Sequence, residues 1–136
     1  MRLHIGFPDL KAELAMLKRT SAKAEAAQLL SIQDLQELQQ QVAQVYCSDS
    51  LLNYLLRLIH ASRDLAGANP LSPRCSLSLQ ACAKAWALLH NQQQVSPEDV
   101  QAVFSAVCAH RLGHADSGLA FAQQLLSQVD PYQDLA

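Results

Sequence analysis

Glycine and proline are scarce in this chain, at four and five among 136 residues, and aromatic residues make up only 5%. An all-β sandwich or barrel needs turn glycines and a supply of β-branched and aromatic residues, so that class is disfavoured. Charge of either sign is low, and 10 Lys+Arg nearly balance 12 Asp+Glu, for a formal net charge of −2. That removes the phosphate neutralisation on which nucleic-acid affinity mainly rests, so no nucleic-acid partner is expected. No apolar run approaches the roughly 18 residues of a membrane-spanning helix. The opening MRLHIGFPDLK has no apolar segment of signal-peptide type. A cytoplasmic protein without membrane insertion is therefore expected.

Motifs that carry chemistry are also missing. The cysteines Cys47, Cys75, Cys82 and Cys108 form no C-x-x-C pair and read as reduced, mostly buried small residues. Cys82 and Cys108 are candidates to face each other in the core. His110 and His114 stand four apart, but Gly113 lies between them and no H-E-x-x-H pattern follows. His4, His60 and His90 are scattered, so no metal site is expected. No G-x-S-x-G elbow is present. None of Gly6, Gly67, Gly113 and Gly118 precedes a Gly-Lys-Ser/Thr, so the chain alone has no phosphate loop. A helical enzyme is left without a nucleophile–base pair or metal cluster.

What the chain has is leucine (24) and alanine (21), a third of all positions, which favours helix. The length suits one domain, or one with a small appendage. Pro8 and Asp9 open a helix over about 8–20, with Leu10, Leu14 and Leu17 on one face. Residues 20–30 are Ala-rich without a clear stripe and read as a loop or a frayed short helix. Ser31 starts S-x-x-D, a capping box, for a helix over about 32–44 with Ile32, Leu35, Leu38, Val42 and Val45 on one side and glutamines on the other. Val45-Tyr46-Cys47 is a short extended link. Ser48 and Asp49 cap a strongly apolar helix that ends near Asp64 and should be central in a bundle. AGANPLSP breaks the chain. Ser72 and Pro73 start a helix to about His90, with Leu77, Leu79, Ala81, Cys82, Ala85, Trp86 and Leu89 on its apolar face. Ser96-Pro97-Glu98-Asp99 starts another to about His110, with Val100, Val103, Phe104 and Val107 as its stripe. A last helix begins at Ser117 or Gly118, and PYQDLA follows as a frayed tail. The expectation is an all-α small bundle of five to six helices.

One basic residue stands apart. Arg74 sits at the second position of its helix, where unpaired N–H groups and the positive dipole end gather. A cation there is locally unfavourable by a few tenths of a kcal/mol. Either Arg74 is simply exposed and tolerated, or it and the helix start both address an anion, for which a guanidinium offers bidentate contacts.

Three pieces, in order and spacing, resemble the C-terminal lid domain of MoxR-type AAA+ ATPases: GFPDLKAELAMLKR (6–19), VYCSDSLLNYLLRLIHASR (45–63), and SPRCSLSLQACAKAWALLHNQQQVSPEDVQAVFSAVCAHRL (72–112). The resemblance implies a lid over 1–112, with 113–136 as a C-terminal helix and tail packed on the same bundle. It implies that Ser72-Pro73-Arg74 is the second-sensor motif, with Arg74 reaching the phosphates of ATP bound with Mg²⁺ on an N-terminal core. The family pattern is Gly-x-Ser-Pro-Arg; here Pro70-Leu71 precede the serine. The resemblance further implies that this chain is a piece of a larger ATP hydrolase, inactive and without bound cofactor by itself. It implies a ring homo-oligomer, usually a hexamer, that remodels or activates clients, some with von Willebrand A domains. The alternative is an autonomous helical adaptor that binds a partner helix in an apolar groove. If a docking core is absent, Leu3, Ile5 and Phe7 should lie exposed.

Overall fold

Serine hydroxyls begin three of the helices. In the computed structural model, which describes residues 1–3, 5–18 and 27–133, the elements are α1 (Leu10–Lys18), α2 (Ile32–Gln44), α3 (Asp49–Asp64), α4 (Pro73–Leu89), α5 (Pro97–Leu112) and α6 (Ala115–Gln128). Ser31, Ser48 and Ser96 accept the N–H groups of Asp34, Leu51 and Asp99, which would otherwise be unpaired at the helix start. At Ser31 and Ser96 the aspartate three residues on also accepts the serine's own N–H, completing capping boxes. The all-α class holds: the described residues contain six helices and one isolated parallel bridge between Tyr46 and Gln94.

Two helix starts differ from the sequence reading. Asp9 is a cap rather than a first-turn residue, because its side chain accepts the N–H of Ala12 at 2.7 Å; Pro8 therefore precedes the helix. Residues 19 and 20 of the expected first helix, and 20–26 of the expected loop, lie outside the described residues, as does His4. The last helix begins at Ala115 rather than Ser117 or Gly118, with His114 at its N-cap. That puts Gly118 inside a helix, where a Cβ would overlap the carbonyl oxygen of Ala109 on α5. The glycine lets two backbones approach where no side chain fits.

The core is built around α5, which buries Val100, Val103, Phe104, Val107, Cys108 and Leu112. Its packing against α4 and α6 is the most extensive in the fold. The apolar α3 was expected at the centre; it packs on α4, α5 and α6 but leaves Leu56 exposed. The buried row of α4 is Cys75, Leu79, Ala83 and Ala87, spaced four apart along one face. Its small residues admit α5 closely, and Leu77 and Leu89, expected inside, are turned out. The same rotation puts Cys75, not Cys82, against Cys108. α4 ends where Asn91 adopts a left-handed φ of 57°. The N–H groups of Asn91 and Gln92 then bond the carbonyls of Leu88 and Ala87, a Schellman closure.

The periphery is thinner. α2 buries none of its own residues, packs among the described residues only on the helix α4, and is tied there by Lys84, whose Nζ donates to the Ala43 carbonyl at 3.0 Å. Among the described residues α1 packs on no other helix. Leu3, Ile5 and Phe7 are exposed, Phe7 at 99%. The C-terminal segment is held rather than frayed as far as Tyr132, whose hydroxyl donates to Glu98 at 3.0 Å; residues 134–136 lie outside the described set.

Candidate functional site

The turn before α4 is held from three sides. Ser62, fully buried on α3, donates to the Ile59 carbonyl at 2.6 Å and accepts the N–H of Leu71 at 3.0 Å. Leu71 itself is buried in the core. Upstream, the N–H of Asn69 donates to the Leu112 carbonyl at 2.8 Å, tying the loop to the end of α5. Downstream, Cys75 is buried in the first turn. Between the two anchors Leu71 and Cys75, the residues Ser72, Pro73 and Arg74 are all exposed. Leu71, in the free position of the Gly-x-Ser-Pro-Arg pattern, is buried and its N–H finds an internal acceptor.

The helix start they form is unlike those of α2, α3 and α5. Ser72 occupies the N-cap position with φ −82° and ψ 160°, yet its side chain makes no cap bond, and no acidic residue lies in the first turn. Pro73 stands at the first helical position, as the sequence predicts. Ser76 turns its hydroxyl back to the Pro73 carbonyl at 2.6 Å rather than outward. Arg74 makes no side-chain hydrogen bond or ion pair among the described residues. The result is a guanidinium and a helix N-terminus of the same sign on open surface, with no carboxylate to neutralise either. This arrangement can bind an anion: the guanidinium offers paired donors, and the dipole adds partial positive charge. The residues present therefore fit a phosphate.

Neither main concavity contains Arg74. One, of about 450 Å³, lies between the starts of α3 and α5 and the segment Pro131–Gln133 and is lined by neutral residues such as Ser48, Asn53 and Gln94. The other, of about 460 Å³, is bounded by Arg2, His110, Asp116 and Leu119. His110 lies in the last turn of α5 and His114 caps α6, so the two do not share a helical face. The described residues include no group of three or more candidate metal ligands and no helix long and apolar enough to cross a membrane. Ser62 was not singled out from the sequence. A lone serine inside an apolar helix was its only signal.

The AAA lid domain family matches residues 60–131, and the chain belongs to that family. One of its curated relatives is a MoxR chaperone. Chaperone MoxR1 of Mycobacterium tuberculosis is 31% identical over 122 residues, covering 82% of this chain and 32% of that protein. The uncharacterized protein YeaC of Bacillus subtilis is 30% identical over 115 residues, covering 82% of this chain and 36% of its own length. The chain thus spans about a third of the curated relatives it matches. A crystal structure from Cytophaga hutchinsonii, provisionally assigned as an ATPase, superposes with a TM-score of 0.78 at 25% identity, over 96% of this chain and 46% of that one.

Proposed function

We propose that this chain is the lid of a larger AAA+ ATP hydrolase and that Arg74 is its second-sensor arginine. The observation that carries the reading is the Arg74 guanidinium, unpartnered among the described residues, on a helix start where Ser72 makes no side-chain cap bond. A cation left there without compensation is slightly unfavourable in the chain alone, and an anion presented by another part of the polypeptide would reverse the sign. Residues 1–112 form the lid in this reading, and 113–136 belong to the same bundle.

The nucleotide, bound with Mg²⁺ on an N-terminal core, supplies the phosphoryl group that is transferred to water. The residues of this chain act on charge and position. Arg74 contacts phosphate oxygens and stabilises the charge that develops on them. Ser72 and Pro73 set the backbone from which it projects, and Leu71 and Cys75 hold that backbone against the core. Because Arg74 gains its partner only when phosphate is present, nucleotide state biases the angle between lid and core. A packed bundle passes that bias to whatever the ring, a hexamer in this reading, acts upon: client proteins, including some with von Willebrand A domains.

The test is Arg74→Ala in the full-length ATPase. Loss of one such donor should lower ATP turnover about 100-fold while leaving the unfolding midpoint unchanged. Normal turnover with normal client activation would sink the proposal. A second reading, an autonomous adaptor, is favoured by the exposed apolar residues of the N-terminal segment, Ile5, Phe7, Leu10 and Leu17. A binding screen with the isolated chain separates the two, since an adaptor captures a partner helix without nucleotide.

A further inference from the structure

We propose that Cys75 and Cys108 are a peroxide-sensitive thiol pair that closes reversibly into a disulfide between α4 and α5, one residue from Arg74. The sulfurs lie 3.6 Å apart, and the two residues are 33 positions apart in sequence. Both are fully buried and unoxidised. A disulfide needs about 2.05 Å between sulfurs, so they must approach by roughly 1.5 Å. Cys82, the other cysteine on α4, is half-buried.

The two thiols are chemically unequal. The hydrogen bond shared by the two sulfurs holds the Cys75 thiol down to about 7 against the opposing effect of burial, with the nearby Arg111 adding to the shift. Cys108 is pushed up by the same hydrogen bond and by its burial. One sulfur is therefore a nucleophile near neutral pH and the other a resolving thiol held in contact with it. Inert buried cysteines lack both features.

The steps balance with hydrogen peroxide as the named oxidant. The Cys75 thiolate attacks one peroxide oxygen, and the O–O bond breaks; Cys75 becomes a sulfenic acid and hydroxide leaves. The Cys108 sulfur then attacks the Cys75 sulfur, the S–O bond breaks, and a second hydroxide departs. The two protons from the thiols convert both hydroxides to water. Peroxide is little larger than water, and Cys75 sits in a first turn whose neighbours Ser72, Pro73 and Arg74 are exposed. Opening of that helix end suffices for entry. A thiol reductant reverses the bond by exchange. The cross-link stands on the geometry alone; its effect on nucleotide chemistry, through the pinned backbone of Arg74, rests on the reading of Arg74 given above.

The test treats the chain with hydrogen peroxide in a Cys82→Ala background and digests it with trypsin without reduction. The substitution is needed because Cys75 and Cys82 fall in one tryptic peptide, 75–84. The expected result is peptide 75–84 linked to 85–111, lighter by two hydrogens than the separate peptides together and released by dithiothreitol. In Cys108→Ser, which keeps a donor to Cys75 but cannot form a disulfide, dimedone should instead label Cys75. If the protein remains folded and no such link forms, or if the label falls on Cys47 in preference to Cys75, the proposal is overturned. The full-length ATPase then reports the consequence. Peroxide should lower turnover in the parent protein, reversibly, and spare Cys108→Ser. A cross-link that forms without any change in turnover overturns the regulatory half, whereas the sensor reading itself is judged separately by Arg74→Ala.

Discussion

The Ser62 hydroxyl on α3 accepts the N–H of Leu71 at 3.0 Å, and this one bond joins the helix before the break to the turn that presents Arg74. The group is fully buried, so no water can replace it. Ser62→Ala leaves the Leu71 N–H unpaired and should cost about 1–3 kcal/mol, measured by urea unfolding. In the full-length ATPase it should also lower turnover, and Ser62→Thr, which keeps the hydroxyl, should recover part of the loss. Equal stability of the alanine variant would show that the bond does not hold the turn.

Arg74→Lys separates charge from geometry. Lysine keeps the cation and loses the bidentate fork. Turnover in the full-length protein should fall between those of the parent and Arg74→Ala. Because Arg74 is exposed, both variants should unfold within about 0.5 kcal/mol of the parent. A lysine variant as impaired as the alanine one would point to a role for the planar guanidinium alone.

Gly118 lies where α6 crosses α5. Gly118→Ala places a methyl group against the Ala109 carbonyl, backbone that cannot swing aside. Overpacking of this kind should cost about 3 kcal/mol, or displace α6 altogether. Circular dichroism and the thermal midpoint both report it, and an unchanged midpoint would contradict the packing described.

The start of α2 should respond to acid. The Asp34 carboxyl is held below its ordinary range by the Ser31 hydroxyl and the Ser31 N–H. Its folded value is depressed, so its contribution is present above the ordinary aspartate range and is lost as pH falls through the lowered folded value. Amide protection near Asp34 should drop in acid, and Asp34→Asn should remove the step. A step that persists in the asparagine variant would assign it to another group.

Lys84 provides the fastening of α2 onto α4. Lys84→Met keeps the stem and removes the donor. Hydrogen exchange across Ile32–Gln44 should accelerate while α5 remains protected. Uniform acceleration, or none, would show that α2 is held by other contacts.

Helix positions were legible wherever a side-chain signal is local. Ser31 with Asp34, and Ser96 with Pro97 and Asp99, mark their own starts, because a cap needs only three or four successive residues. The rotation of α4 was not legible. Its alanines and leucines alternate so densely that several faces look apolar, and only the approach of α5 selects Cys75, Leu79, Ala83 and Ala87 as the inner row. The same ambiguity put Cys82 in place of Cys75 opposite Cys108. The start of α6 was misplaced because Gly118, which reads locally as a breaker, is present for close packing against Ala109.

Composition and local patterning determined the helical class, the caps, and the position of Arg74 at a helix start, since these depend on neighbours along the chain. Tertiary structure decided which sulfur meets Cys108, that Ser62 holds the Leu71 turn, and that Arg74 is left exposed without a partner among the described residues. Those outcomes depend on which helix faces pack together, and that is settled by volume and close approach between segments far apart in sequence.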